Sequence, residues 1–345
     1  MRKDEHIDIC VKTADGPSGN GFADIFLLNN SVPGLNIDEI DLSLTFLEKQ
    51  ISYPLIINAI TGGTERAFKI NQCLAALANK FNIPMAVGSG NIALEHPELK
   101  PSFAIVRKMN PYGLILANIG ANESCEKAVK TVDMINADAL QLHFNVPQEL
   151  AMQEGERQFK NVLANVKEII AASPVPIIAK EVGFGFSRET VEKLFACGVR
   201  FFDNGGQGGT NFIAIEKNRG GILGAEFDSW GIPTAWSLGE IVTLNLPVTI
   251  IASGGIRNAM EAVKALAMGA DIIGIAAPLL KKYINEGEEA VELYLHDFLY
   301  SLKAVVLMTG AKNLQELSTK PLIIMDQTAE WLKARGIDPG IWSRR

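Results

Sequence analysis

The chain has 345 residues, 48% of them hydrophobic and 31 of them glycine, with 32 Lys plus Arg against 39 Asp plus Glu for a net charge of -7. That length and apolar content exclude a disordered polymer and allow one large domain or two. An acidic balance without a basic stripe argues against a nucleic-acid partner, because phosphates demand clustered Lys and Arg.

The N-terminus MRKDEHIDIC carries charges where a secretion signal needs an apolar core, and no run of 18 uncharged apolar residues occurs. The four cysteines (Cys10, Cys73, Cys125, Cys197) are far apart and make no metal spacing, so they read as free thiols. Together these features predict a soluble, cytoplasmic protein with no membrane partner. The cluster Arg2, Lys3, Asp4, Glu5 and His6 reads either as a solvated tail or as a basic flap, and composition alone leaves both open.

Eight short apolar, β-branched runs follow, at 54–59, 84–88, 114–119, 139–145, 176–182, 200–204, 248–253 and 271–276. Helical patterns lie between them, among them 71–81, 123–136, 188–197 and 258–268. Eight strands alternating with helices predict an α/β fold, a (β/α)8 TIM barrel. A doubly wound open sheet is the alternative, but it normally places its phosphate loop after the first strand, and here the glycine-rich loops come late. The expected layout is one domain: 1–52 as an N-terminal cap, 53–310 as the barrel and 311–345 as an extension, with a long helix at 289–308. The connection 208–246 is too long for a plain loop, and its NRGGILGAEFDSWG segment reads as a lid or insertion.

Asn118, His143, Asn145, Lys180, Asp203, Asn204 and Ser253 sit at or near the C-terminal ends of these runs, where barrel enzymes place their chemistry. In ADALQLHFNVPQE, strand alternation puts Gln141, His143 and Asn145 on one face and Leu140, Leu142 and Phe144 on the other. That polar row either fills the lumen or lines a site. The next residues, Gln148 and Glu149, bring an amide and a carboxylate to the loop; Glu149 is a solvated acid or a ligand for Mg2+, which often takes one carboxylate plus phosphate oxygens. Lys180 shares parity with Ile178 and is expected to face inward, as a nucleophile or as a fixed cation beside an anion or a flavin, with Glu181 facing out. Glycines crowd three late loops, 203–210, 253–257 and 276–278, where backbone N–H groups can approach a phosphate.

Taken in order, RKDEHI, INAITGG, AVGSGN, ILANIG, QLHFNVPQE, KEVGFG, GGQGGTNF with IEKNR, SGGIRN and GIAAPLL resemble the type 2 isopentenyl-diphosphate delta-isomerases over essentially the whole chain. The resemblance implies FMN-dependent interconversion of isopentenyl and dimethylallyl diphosphate by a 1,3-proton shift in isoprenoid synthesis, with Mg2+ on the diphosphate and NADPH as reductant. It implies that Ala59, Ile60, Thr61, Ser89, Asn118, Lys180 and Thr210 line the flavin, and that Gly254, Gly255, Ile256, Arg257, Ala276 and Ala277 hold its phosphate. By the same match Arg2, Lys3 and His6 fold over the substrate diphosphate beside Ser89, Gln148 sits at the reacting carbons and Glu149 binds the metal. His143 and Asn145 complete the wall beside the substrate, with Gln148, Lys180 and His143 as the catalytic set. The resemblance also implies a homotetramer or homo-octamer. It departs at Gly90-Asn91, where an arginine is common, which leaves that diphosphate contact to Arg2 or Lys3. An FMN-dependent hydroxy-acid oxidase or dehydrogenase on the same barrel is the rival reading, and a non-enzymatic phosphate-binding scaffold is a second.

Overall fold

A computed structural model describes residues 2–12 and 19–345, without the side chains of Arg2 and Lys3. After helix α1 (Arg2–Lys12) come three short strands, β1 (Ile25–Leu27), β2 (Leu44–Phe46) and β3 (Lys49–Ile51). Eight parallel strands then follow: β4 (Leu55–Ile57), β5 (Met85–Ala86), β6 (Ile115–Gly120), β7 (Ala139–Phe144), β8 (Ile177–Glu181), β9 (Phe201–Asp203), β10 (Thr249–Ser253) and β11 (Ile272–Ile275). They pair in chain order, and β11 returns to β4, so the sheet closes into the predicted barrel.

The strands read as unbroken apolar runs because both faces are covered, by helices outside and by packed side chains inside. Lumen residues Ile56, Leu116, Ile178, Ile251 and Ile272 form one cluster with Phe46 and Ile51, so the β2–β3 hairpin plugs the N-terminal end. Removing such a side chain, as in Ile178→Ala, costs about 2–5 kcal/mol. The outward residues Leu140 and Leu142 join the larger core beneath the helices.

Those helices are α2 (Glu65–Phe81), α3 (Asn91–Glu95), α4 (Pro101–Met109), α5 (Cys125–Ile135), α6 (Val146–Ala151), α7 (Val162–Ala172), α8 (Arg188–Ala196), α9 (Phe212–Asn218), α10 (Thr234–Val242), α11 (Ala259–Met268) and α12 (Ala277–Glu286). Thr64, Ser124, Ser187 and Asn258 each accept a backbone N–H inside the first turn of α2, α5, α8 and α11, satisfying a donor that the helix itself cannot. The chain ends with α13 (Glu288–Met308), α14 (Leu314–Ser318), a strand β12 (Leu322–Ile324) antiparallel to β1, α15 (Asp326–Ala334) and α16 (Gly340–Ser343). Trp342 of α16 is fully buried and donates to the Met268 carbonyl at 2.8 Å, fastening the C-terminus to α11.

The segment before the barrel serves both ends: α1 packs on α9 and α12 at the C-terminal mouth, while the β2–β3 hairpin lies opposite. The connection 208–246 holds α9 and then α10, the barrel helix that follows β9. Its middle exposes Ile222, Phe227 and Trp230. Among the described residues, no helix is long and apolar enough to cross a membrane.

Candidate active site at the C-terminal end of the barrel

Strand register sets a polar row across neighbouring strands: His143 lies opposite Lys180, and Lys180 opposite Asp203. Each lies at or next to the end of its strand on the lumen-facing parity, so their polar groups meet above the apolar plug. The resulting network is continuous. His143 Nδ1 lies 2.9 Å from Asn118 Oδ1, a contact that places the proton on Nδ1. Asn118 donates to Gln141 at 3.0 Å, Gln141 to Asn58 at 2.9 Å and Asn58 to Asp203 at 2.6 Å. Lys180 Nζ and Ser253 Oγ also donate to Asp203, the former at 2.9 Å. Asn58, Asn118, Gln141, Lys180, Asp203 and Ser253 are all buried, so every hydrogen bond between them offsets a desolvation cost.

Lys180 points inward and Glu181 outward, as alternation predicts. Glu181 is buried and accepts the N–H groups of Gly183, Phe184 and Gly185, which folds the turn after β8 around it. Burial pushes its carboxyl up to about 7 against the pull of those donors.

The glycine loops interlock. Gly254 and Gly255 have φ of +104° and +75°, and a Cβ on either would overlap the backbone of Gly206 or Gly208. Arg257 donates to the carbonyls of Gly255 and Gly208, and Asn20 donates to the former at 2.8 Å. Ile256 buries its side chain in the core, so only its backbone can meet a ligand. Ala276 and Ala277 open α12, whose N-terminus carries the positive end of the helix dipole. Next around the rim, after β4 and β5, Ala59, Ile60 and Ser89 are half-buried, and Gly88 and Gly90 bracket Ser89 by bonds to Thr61 and Asn118 backbone carbonyls. The Thr61 hydroxyl is buried without a hydrogen-bond partner among the described residues, so its hydrogen-bonding capacity is unspent there.

A second cluster forms the lip. The strand ends at Phe144, so Asn145 does not continue the row of Gln141 and His143; it precedes α6 and turns its amide to Gln148 (3.4 Å) and Glu149 (2.8 Å). The backbone N–H of Glu156 holds the other Glu149 oxygen at 2.8 Å. Gln148 donates to Glu216 of α9 at 2.9 Å, His6 Nε2 stands 3.1 Å from the same oxygen, and Arg219 binds the other. Burial raises the Glu216 carboxyl, but His6, Gln148 and Arg219 outweigh it and hold it down to about 2. Cys10 Sγ lies 4.0 Å from Thr210 Oγ1, so α1 reaches the glycine loop as well.

The structure thus gathers His6, Asn118, His143, Asn145, Gln148, Glu149, Lys180, Thr210 and the glycine loops at one end of the barrel. The side chains of Arg2 and Lys3 lie outside the described residues. Among those described, no group of three or more His, Cys, Asp or Glu could hold a metal. A single held carboxylate at Glu149 still matches Mg2+ that takes its remaining ligands from phosphate and water. Gln141 and Asp203, placed by the sequence on the lumen face and at a strand end without a specific role, belong to the site, as do Asn58 and Glu216, which the sequence did not single out. Parity was the available signal for two of them, since Asn58 shares a face with Ile56, and Asp203 with Phe201.

The sequence profile of the FMN-dependent dehydrogenases matches residues 151–324. An isopentenyl-diphosphate delta-isomerase of Moorella thermoacetica is 46% identical over 97% of this chain and 96% of its own. One from Geobacillus is 42% identical over 100% and 99%. Among solved structures, a lactate oxidase of Pediococcus acidilactici aligns with a TM-score of 0.70 at 15% identity, covering 92% of this chain and 87% of its own. A flavocytochrome b2 mutant aligns at 0.69 and 17%, over 96% and 84%. At such identities these two are similar in fold alone.

Proposed function

The chain belongs to the type 2 isopentenyl-diphosphate delta-isomerases, within the FMN-dependent dehydrogenase family, and from that premise we propose that its barrel mouth binds FMN and interconverts isopentenyl and dimethylallyl diphosphate. The observation that carries this reading is the row His143–Lys180–Asp203, with Lys180 and Asp203 buried, beside a Thr61 hydroxyl unpartnered among the described residues and interlocked glycine loops. Together these provide a fixed cation, a row of amides and close backbone approach on one rim. An isoalloxazine ring with a phosphate tail asks for those three things.

When bound, reduced FMN supplies the acid and base that the reaction needs, because an unactivated alkene is too weak a base for any side chain at this mouth. The protein positions the reactants. Ala59, Ile60, Thr61, Ser89, Asn118, Lys180 and Thr210 hold the ring; Gly254, Gly255, Arg257, the Ile256 backbone and the α12 N-terminus at Ala276 and Ala277 hold the phosphate. Arg2, Lys3 and His6 on α1 cover the diphosphate, with Arg2 or Lys3 in place of the arginine absent at Gly90-Asn91. Glu149 anchors Mg2+ against the diphosphate, while Asn145 and His143 wall the prenyl group. Gln148, fixed by Glu216, directs its amide at the reacting carbons and orients a proton there. Holding the alkene in one pose converts an encounter into a unimolecular step. Reduction by NADPH and a tetrameric or octameric assembly belong to the same reading.

A hydroxy-acid oxidase needs a histidine base and an arginine clamp for the substrate carboxylate. Of the four histidines, His96 and His296 are exposed, His6 stands against Glu216, and His143 is committed through Nδ1 to Asn118. No histidine lies on the loops after β9, β10 or β11. The test is turnover by the purified holoprotein. With reduced FMN and Mg2+ it converts isopentenyl diphosphate to its isomer and leaves lactate and mandelate unoxidised. Oxidation of a hydroxy acid without isomerisation would overturn the proposal.

A further inference from the structure

Asp203 has no solvent exposure, yet four donors converge on it. Lys180 Nζ (2.9 Å) and Asn58 Nδ2 (2.6 Å) reach one oxygen, and Ser253 Oγ and the Gly205 N–H (3.3 Å) reach the other. Lys180 carries three N–H groups, and among the described residues Asp203 is its only partner, so two remain for a ligand at the mouth. The carboxylate is held on both oxygens, and it therefore holds the ammonium in one place. To a ligand on the Lys180 side, two opposite charges 2.9 Å apart present a dipole and not a full positive charge.

We propose that Asp203 is the charge-compensating and positioning residue of the flavin site: it pins Lys180 and cancels most of its field, so that a reduced ring there is not driven to its anion. This rests on the FMN reading above. The chemistry gives the reason. An isomerisation moves no net electrons, so the site needs a reduced ring that can both give and take a proton, and an uncompensated cation would favour the form that has already lost one. Asn58 and Ser253 complete the device by fixing the carboxylate against rotation.

The experiment measures the midpoint potential of bound FMN against a reference dye in the wild-type holoprotein, D203N, K180M and K180M/D203N. D203N exposes the ring to the full Lys180 charge and shifts the reduction equilibrium at least tenfold toward reduced FMN, about 30 mV for a two-electron couple. It also lowers the pH at which the spectrum of reduced FMN changes from neutral to anionic. K180M shifts the equilibrium the other way, and the double variant returns to within about threefold of wild type. A folded, flavin-loaded D203N with an unmoved potential means that Asp203 is only a structural staple and overturns the inference. Should D203N fail to fold, the double variant decides, and a potential displaced as far as that of K180M overturns the inference too. A wild-type protein that retains no FMN overturns the parent reading first, and the inference with it.

Discussion

Glu216→Gln tests how the mouth is held shut. Glu216 has a side chain only 1% exposed and binds His6 of α1, Gln148 of α6 and Arg219. The drop of its carboxyl from the usual 4.5 to about 2 corresponds to about 3 kcal/mol in favour of the charged form. Only His6 among these partners lies on α1, so glutamine, which keeps a hydrogen bond and loses the charge, should cost about 1–2 kcal/mol of α1 docking. The other ties of α1, Asp4 to Thr64 (2.9 Å), Asp8 to Arg66 (2.5 Å) and Glu5 to Arg219 (3.3 Å), are more exposed and weaker. The loss should therefore appear as local opening of α1, with global unfolding little changed. Hydrogen exchange followed by mass spectrometry should show the α1 amides exchanging roughly 5- to 30-fold faster. The pH dependence has a definite sign. A depressed carboxyl contributes above its unfolded value, so the wild-type advantage is complete above about pH 4.5 and is lost as pH falls toward about 2. Exchange in α1 within threefold of wild type at neutral pH would refute the latch.

Glu149→Gln should raise the KM for the diphosphate and its Mg2+ requirement at least tenfold, with FMN affinity within twofold of wild type; parallel loss of both would contradict the metal role. Gly254→Ala forces a side chain into left-handed backbone against the Gly206 carbonyl, so FMN binding followed by fluorescence quenching should weaken at least tenfold, and an unchanged Kd would count against the phosphate loop. Glu181 is held near 7 by burial, so its ionisation opposes folding: wild-type stability should fall as pH rises from about 4.5 through about 7, by about 3 kcal/mol. Glu181→Gln should remove that slope in urea titrations at pH 5 and pH 8, and equal slopes would show that the carboxyl is relaxed in the fold.

The barrel was legible because parallel strands covered on both faces leave eight dense apolar runs, and because strand-end parity identified Lys180 as inward. The β1–β12 pair and the β2–β3 hairpin were not, since their short strands are partly exposed and leave no dense apolar run. Within the site, the residues assigned to ligands stood out by strand-end position or motif, whereas Asn58 and Glu216, which hold Asp203 and Gln148, did not. Asn58 meets Asp203 across 145 positions, and Gln148 meets Glu216 across 68. Such pairings exist only once the barrel has closed. Asn145 was misplaced for a local reason: Pro147 in the first turn of α6 favours a helix start, so the strand gives way one residue before the alternation suggests.

On the proposed function, this site moves a proton without spending electrons. That is tested most directly by incubating the photoreduced, anaerobic holoprotein with isopentenyl diphosphate and Mg2+ in D2O, following product by NMR and flavin by absorbance together. The account predicts dimethylallyl diphosphate carrying solvent deuterium while the flavin stays reduced through many turnovers. Flavin oxidised in step with substrate loss, or isomerisation proceeding equally well on the oxidised protein, would contradict it.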